Sequence, residues 1–223
     1  PAPTPRTTFF NFTASHDGIG LRPVEGILAP EELTQMIAQV EANGGRVSYR
    51  ALPDGSQQPY ELNITYVNAT GKVGISPSQH VERFLLTQAV MLSLAGVPAI
   101  YVHSLIGTQN DHNGVERLGY NRAINRAKLD ADQLESELRD ADTFSSQVFN
   151  AYADLVRARR GHTAFHPLGN QRAYTLNAGH VLGLERTAPD GSERVTCLFN
   201  FSDQPQMIEQ GELAPYESRW IVK

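Results

Sequence analysis

The sequence predicts an α/β fold on three observations. Two apolar runs that do not alternate, residues 8–12 (TFFNF) and 97–102 (VPAIYV), have the pattern of parallel strands buried on both faces. Each is followed by a long polar loop and an amphipathic helix, the repeating unit of a parallel barrel. Beyond Gly161 the period changes to short runs parted by turns, which predicts a separate antiparallel β domain. The expected organisation is therefore residues 1–160 as barrel-like α/β, with pocket-shaping loops at 46–75 and 103–142, and residues 161–223 as a β domain.

Each element has a local cause. After the first apolar run, Pro30 suits the first position of a helix and Glu31 and Glu32 complement its positive end. Leu33, Met36, Ile37 and Val40 then recur on one face until Asn43, Gly44 and Gly45 stop it. Residues 46–75 mix strand-like pieces with Pro53, Asp54, Gly55, Pro59 and Gly71, too long and polar for a simple connector. A second helix is capped by Ser76 and carries Val81, Phe84, Leu85, Gln88, Ala89, Leu92 and Leu94 before Gly96. The second apolar run leads into a polar loop rich in Asn, Asp and Arg, and a third helix over 143–160 places Phe144, Val148, Tyr152, Leu155 and Val156 inward. The tail offers runs at 171–176, 180–185, 194–199 and 217–222, with Pro189, Asp190 and Gly191 as a turn.

Composition bounds the function. With 223 residues and 40% apolar content a real core is available, and the single Cys197 excludes a disulfide scaffold, as expected for a cytoplasmic protein. Residues 1–5 read as neither an arginine-rich leader nor an apolar signal run, and 18 successive uncharged apolar residues occur nowhere, so neither secretion nor membrane insertion is expected. A net charge of -5 argues against a nucleic-acid partner. The cationic cluster Arg157, Arg159, Arg160 and His162 instead complements the negative end of a helix.

His16 and Asp17, just past the first apolar run, are the leading candidates for chemistry, because barrels carry their sites where strands end. Gly18 and Gly20 let the chain leave tightly beside a bound polar ligand; alternatively Asp17 caps the turn and His16 fills the rim. The pairs His16–Asp17 and Asp111–His112 lack the spacing of a metal site. Gly18 to Gly20 forms neither a phosphate loop nor a dinucleotide motif, and no serine stands in a nucleophile elbow. Tyr60, Tyr66, Tyr101 and Tyr120 flank polar loops, placed either to pack there or to stack on a sugar.

TASHDGIG followed by LRP, then PYELNITYVNA, LAGVPAIYVHSLIG and GYNRAINRAKLD, together resemble the carboxyl-terminal half of the sucrose phosphorylase and glucosylglycerate phosphorylase branch of the α-amylase superfamily, glycoside hydrolase family 13. The resemblance covers nearly the whole chain. It implies a (β/α)8 TIM barrel whose seventh and eighth strands are the two apolar runs, completed by a small antiparallel β domain. It further implies that Asp17 is the transition-state stabiliser, His16 a neighbouring sugar-binding residue, and Arg122 a support of the glucosyl subsite. Tyr60 and Glu61 fall on positions that meet phosphate or the acceptor. Glu61 departs from the glutamine of sucrose phosphorylases. An ionised glutamate only accepts hydrogen bonds and adds negative charge beside an incoming phosphate, which speaks against plain sucrose phosphorolysis. It is expected to pair with an arginine such as Arg22, Arg117 or Arg122. GVER, NRAINRAKLD and ARRGHTAFHPLG lean towards the glucosylglycerate members, whose acceptor is a small anionic acid.

The implied activity is retaining phosphorolysis of an α-glucoside to α-glucose 1-phosphate, with inorganic phosphate as co-substrate and no cofactor or metal. The alternatives are another sucrose-type transferase or hydrolase, or a non-catalytic fragment acting by association. The resemblance assigns neither nucleophile nor acid/base to these residues, because both precede them in the family. The expected partner is thus the amino-terminal half of the same enzyme, as a second piece of a processed chain or as the rest of a longer one; self-association into a homodimer is the third arrangement.

Overall fold

A computed structural model describes residue 4 and residues 6–223, which divide into two compact units. The first comprises Pro1–Thr13, Val81–Ala99 and Asn150–Lys223, and the second Ala14–His80 and Ile100–Phe149.

The first unit is built around a four-stranded antiparallel sheet in the order Ser218–Val222, Arg194–Asn200, Val181–Thr187, Asn170–Leu176. Leu184, Val195, Cys197 and Phe199 project from it into a core shared with Ala164, Phe165, Leu86 and Ala89, the last two from the helix Pro77–Ser93. Alternation of apolar residues along these strands is what turns one face inward. Gln88, fully buried, accepts from the Tyr152 hydroxyl at 2.8 Å and from Thr13 Oγ1 at 2.9 Å. A small hairpin, Gln206–Ile208 with Gly211–Leu213, adds Leu213 to a second cluster with Val181 and Leu198. The helix Phe144–Arg160 matches its sequence expectation to within one residue. Its arginine cluster does more than face the helix end. Arg159 turns inward and donates to the carbonyls of Leu92, Gly96 and Phe165.

The two apolar runs do pair in parallel, Phe10 opposite Val97 and Asn11 opposite Pro98, but as strands of only two residues, Phe10–Asn11 and Val97–Pro98. They are not buried on both faces as their sequences predict: Phe10 is 67% exposed, and Phe12 and Val97 are also exposed. A parallel pair satisfies one edge of each strand and covers neither face, and burial of such a sequence requires neighbours on both sides. The second run leaves strand geometry early, and Tyr101 starts a helical turn, Val102–Leu105.

In the second unit the central strand Gln57–Asn63 pairs antiparallel with Ile19–Gly20 on one side and Arg46–Ala51 on the other. Leu62 and Ile64 pack with Leu21 and Val40, covered by the helix Pro30–Ala42 through Leu33, Met36 and Ile37. The 103–142 segment, expected as a loop, is largely helical: His112–Leu118, a 3₁₀ turn Asn121–Asn125, and Ala131–Arg139. Its caps explain this. Asp111 accepts from Gly114 N at 2.7 Å, Asp130 from Gln133 N at 2.9 Å, and Gly119 closes the first helix in the left-handed region at φ 73°. No helix among the described residues is long and apolar enough to cross a membrane.

Candidate active site

All five residues singled out from the sequence lie in the second unit. Glu61 owes its position to strand alternation: Leu62 faces the core, so Glu61 faces the opposite side, opposite Gly20 on one neighbour and Ser48 on the other. The register between Ser48 and Tyr49 slips at this point, leaving Tyr60 as the extra residue of a β-bulge. A bulge bends its strand and re-aims the side chain it carries. The Tyr60 carbonyl accepts from Leu21 N at 2.9 Å, and the ring's hydroxyl group bears electrostatically on Arg122.

The Glu61 side chain is only 6% exposed and both its oxygens are engaged. Arg122 Nε donates to Oε1 at 2.9 Å and Oε2 at 3.2 Å, and Nη2 donates to Oε2 at 2.6 Å, a fork-on-carboxylate geometry. Gly18 N adds a contact to Oε1 at 3.2 Å. Glycine is required there, because a Cβ on residue 18 would lie 2.5 Å from the Leu62 carbonyl and 2.8 Å from the Glu61 side chain. Gly20 has open space around it, so the close approach inferred for both glycines belongs to Gly18 alone. Of the three arginines named as partners for Glu61, Arg122 is the one that takes it. Hydrogen bonding and charge from Glu61, and then charge from Asp17, hold the Arg122 guanidinium above its ordinary range.

Arg122 also reaches Asp17, with Nη1 to Oδ1 at 2.9 Å. A second guanidinium meets the same oxygen: Arg126 Nη2 lies 3.1 Å from Oδ1. The other oxygen, Oδ2, is 3.8 Å from His16 Nε2, and that imidazole is largely exposed. The resulting chain of alternating charge, Glu61–Arg122–Asp17–Arg126, contains two anions and two cations. One carboxylate oxygen in it, Asp17 Oδ2, has the exposed His16 imidazole as its neighbour. Such an arrangement can hold a polar ligand by its hydroxyl groups, and a carboxylate fixed by two arginines is suited to electrostatic support of a ligand.

Sequence reasoning missed Arg126 and its neighbour Asn125. The sequence shows a doubled Asn-Arg in NRAINR, but the turn is 3₁₀, in which a spacing of three and not four restores a face, so the repeat alone does not place Arg126 beside Asp17. Ala123 and Ile124 between the pairs are fully buried and pack with Val115, which anchors the turn.

No protein-family model matches the sequence. The chain is 41% identical over 206 residues to a glucosylglycerate phosphorylase of Escherichia coli (strain K12), covering 92% of this chain and 36% of the relative. It is 46% identical over 198 residues to a glucosylglycerate phosphorylase of Spirochaeta thermophila, covering 88% of this chain and 33% of the relative. A sucrose phosphorylase of Streptococcus mutans is more distant, 24% identical over 91% of this chain and 40% of its own. Among solved structures, sucrose 6F-phosphate phosphorylase from Thermoanaerobacter thermosaccharolyticum superposes with a TM-score of 0.71 at 19% identity, covering 96% of this chain and 41% of that one. The resemblance read from the four sequence segments is thus borne out across nearly all of this chain. The chain shares the α/β fold of part of that structure, and it spans about a third of the length of the curated glucosylglycerate phosphorylases named above.

Proposed function

We propose, from a chain similar over most of its length to glucosylglycerate phosphorylases, that these residues form part of a retaining α-glucosyl phosphorylase. In this reading the parallel pair Phe10–Asn11 and Val97–Pro98 belongs to the seventh and eighth strands of a (β/α)8 barrel, and residues 161–223 form its carboxyl-terminal β domain. The companion is the amino-terminal part of the same enzyme, which supplies the carboxylate nucleophile and the acid/base. The setting is cytoplasmic.

The observation that carries the proposal is the state of Asp17. Two guanidinium groups fix one oxygen and leave the other towards the exposed His16 side, as a transition-state stabiliser gripping sugar hydroxyls requires. Asp17 and His16 hold the glucosyl ring, and Arg122 supports the same subsite. Tyr60, re-aimed by its bulge, forms a wall of the phosphate or acceptor site. Glu61 acts on that site through Arg122, since its oxygens are already taken.

The reaction runs in two displacements. The companion's acid protonates the leaving acceptor oxygen as its nucleophile forms the glucosyl ester. Inorganic phosphate then attacks the same carbon, breaking the ester bond and giving α-glucose 1-phosphate with retention. Phosphate is the co-substrate, and no cofactor enters. The chain fits an acceptor that is a small acid better than fructose, because the glucosylglycerate enzymes are its nearer relatives at 41% and 46% identity against 24%.

The test is a substrate panel on the full-length enzyme carrying these residues. With phosphate present, glucosylglycerate should release α-glucose 1-phosphate faster than sucrose or sucrose 6F-phosphate. Preference for either sucrose compound would overturn the acceptor assignment, and phosphate-independent release of glucose would replace phosphorolysis with hydrolysis.

A further inference from the structure

We propose that Asn125 and Arg126 are positioning residues that clamp the His16–Asp17 turn and so set the orientation of the Asp17 carboxylate. The proposal rests on the reading of Asp17 as transition-state stabiliser.

Three hydrogen bonds make the clamp. Asn125 Nδ2 donates to the Asp17 carbonyl at 2.6 Å, Arg126 Nε to the His16 carbonyl at 2.7 Å, and Arg126 Nη2 to Asp17 Oδ1 at 3.1 Å. Two consecutive residues thus hold both carbonyls of the turn and one oxygen of the side chain between them. The clamp is itself anchored. The Tyr101 hydroxyl donates to the Asn125 carbonyl at 2.9 Å, and burial, which raises the Tyr101 pKa, keeps that phenol protonated as a donor. Asn125 is buried at the end of the 3₁₀ turn whose Ala123 and Ile124 are packed inside.

Arg122 and Arg126 differ in what they are tied to. Arg122 is committed to Glu61 through Nε and Nη2 and touches Asp17 only with Nη1. It fixes one point on the carboxylate and no point on the backbone. Arg126 spans backbone and side chain together, so among the described residues it alone couples the position of the turn to the rotation of the carboxylate. A carboxylate held at Oδ1 by two guanidinium groups, one of them tied to the backbone of the turn, presents Oδ2 in one direction. Removal of Arg126 would leave Arg122 as a single pivot about which the group can turn.

The loss of a positive neighbour would by itself make Asp17 a stronger acceptor. At this half-exposed site charge effects are screened, whereas an angstrom of displacement at a reacting centre costs on the order of a hundredfold in rate, so position decides.

The experiment uses the full-length enzyme with Arg126→Met, Arg126→Lys and Arg126→Ala, read two ways. Amide exchange over residues 15–20 follows the clamp without any activity. Steady-state kinetics of α-glucose 1-phosphate release follow its purpose. The expected result for Arg126→Met is roughly tenfold faster exchange in that segment, with kcat reduced about 10- to 100-fold and KM changed less than about threefold. Arg126→Lys should recover part of the rate, and free guanidinium should restore part of the Arg126→Ala rate, which a merely structural defect would not allow. Unchanged exchange, or faster exchange with kcat unaltered, would overturn the proposal, as would a loss in kcat that guanidinium and lysine both leave uncorrected. Should the unmodified enzyme release no glucose 1-phosphate from any substrate, the phosphorylase reading fails by itself, and exchange alone then decides whether the clamp exists.

Discussion

Gly18 sits where backbone and carboxylate come closest. Its amide contributes to the shell around Glu61, and any side chain there would meet the Leu62 carbonyl at 2.5 Å, an obstacle that cannot rotate away. Gly18→Ala should therefore cost about 1–3 kcal/mol of stability, while Gly20→Ala, facing open space, should cost less than about 1 kcal/mol; thermal unfolding of the two variants checks the contrast. At this scale the sequence was legible where its candidate residues are adjacent letters. His16 and Asp17 declared themselves by their place after an apolar run, and Arg122 by resemblance. Arg126 was visible only as one cation in a polar stretch, because what marks it is a contact over 109 positions of sequence. Pairing at that distance is a tertiary fact that no local pattern encodes.

The helix Pro77–Ser93 ends against two guanidinium groups, Arg186 fully buried and Arg159 half-buried, and this explains how it is terminated against a core. Arg186, fully buried, donates to the carbonyls of Ser93, His166 and Asn170 and lies over Phe165, while Arg159 takes Leu92, Gly96 and Phe165. Cations at a helix carboxyl end answer unpaired carbonyls and the negative end of the dipole together. Burial lowers the Arg186 pKa to about 10, so it remains charged at neutral pH. Arg186→Met would leave those carbonyls without a donor and should destabilise the fold by about 3 kcal/mol, a fall in melting temperature of roughly 6–12 °C.

Glu193 plays the matching part at a helical start. It accepts from Ala164 N at 2.8 Å, His162 Nδ1 at 2.9 Å and Thr163 Oγ1 at 3.1 Å, and these partners, the Ala164 amide first, hold its pKa below the ordinary carboxylate range. A carboxylate with a depressed folded pKa stabilises above the unfolded value, and that contribution is lost as pH falls through the folded one. The unmodified protein should lose stability to Glu193→Gln at pH 7, and the difference should shrink as pH drops below about 4.5. Converging melting temperatures in an acid series would be the sign. The elements themselves were mostly readable, since helix periodicity and strand alternation are local. The 103–142 segment was not, because Asp111, Gly119 and Asp130 act as caps only where short polar helices are held by neighbours such as Ala123 and Ile124.

At the scale of the whole molecule, the apolar runs around Phe10 and Val97 have sequences suited to burial on both faces and surfaces that are exposed in this chain, which spans about a third of the length of the glucosylglycerate phosphorylases it matches. Composition alone could not forecast that exposure, because hydrophobic periodicity states what a strand needs and not whether its neighbours are present. The proposed companion answers both observations, by covering those strands and by bringing the nucleophile and acid/base to the Asp17 rim. The fold class was legible from the change of period after Gly161, and the sheet of the first unit follows it nearly residue for residue. The most direct measurement is phosphate-dependent formation of α-glucose 1-phosphate from glucosylglycerate by the full-length enzyme, compared with Asp17→Asn. The predicted result is product of retained configuration from the unmodified enzyme and a loss of about a hundredfold or more in kcat for Asp17→Asn, whereas equal rates for the two, or glucose formed without phosphate, would contradict it.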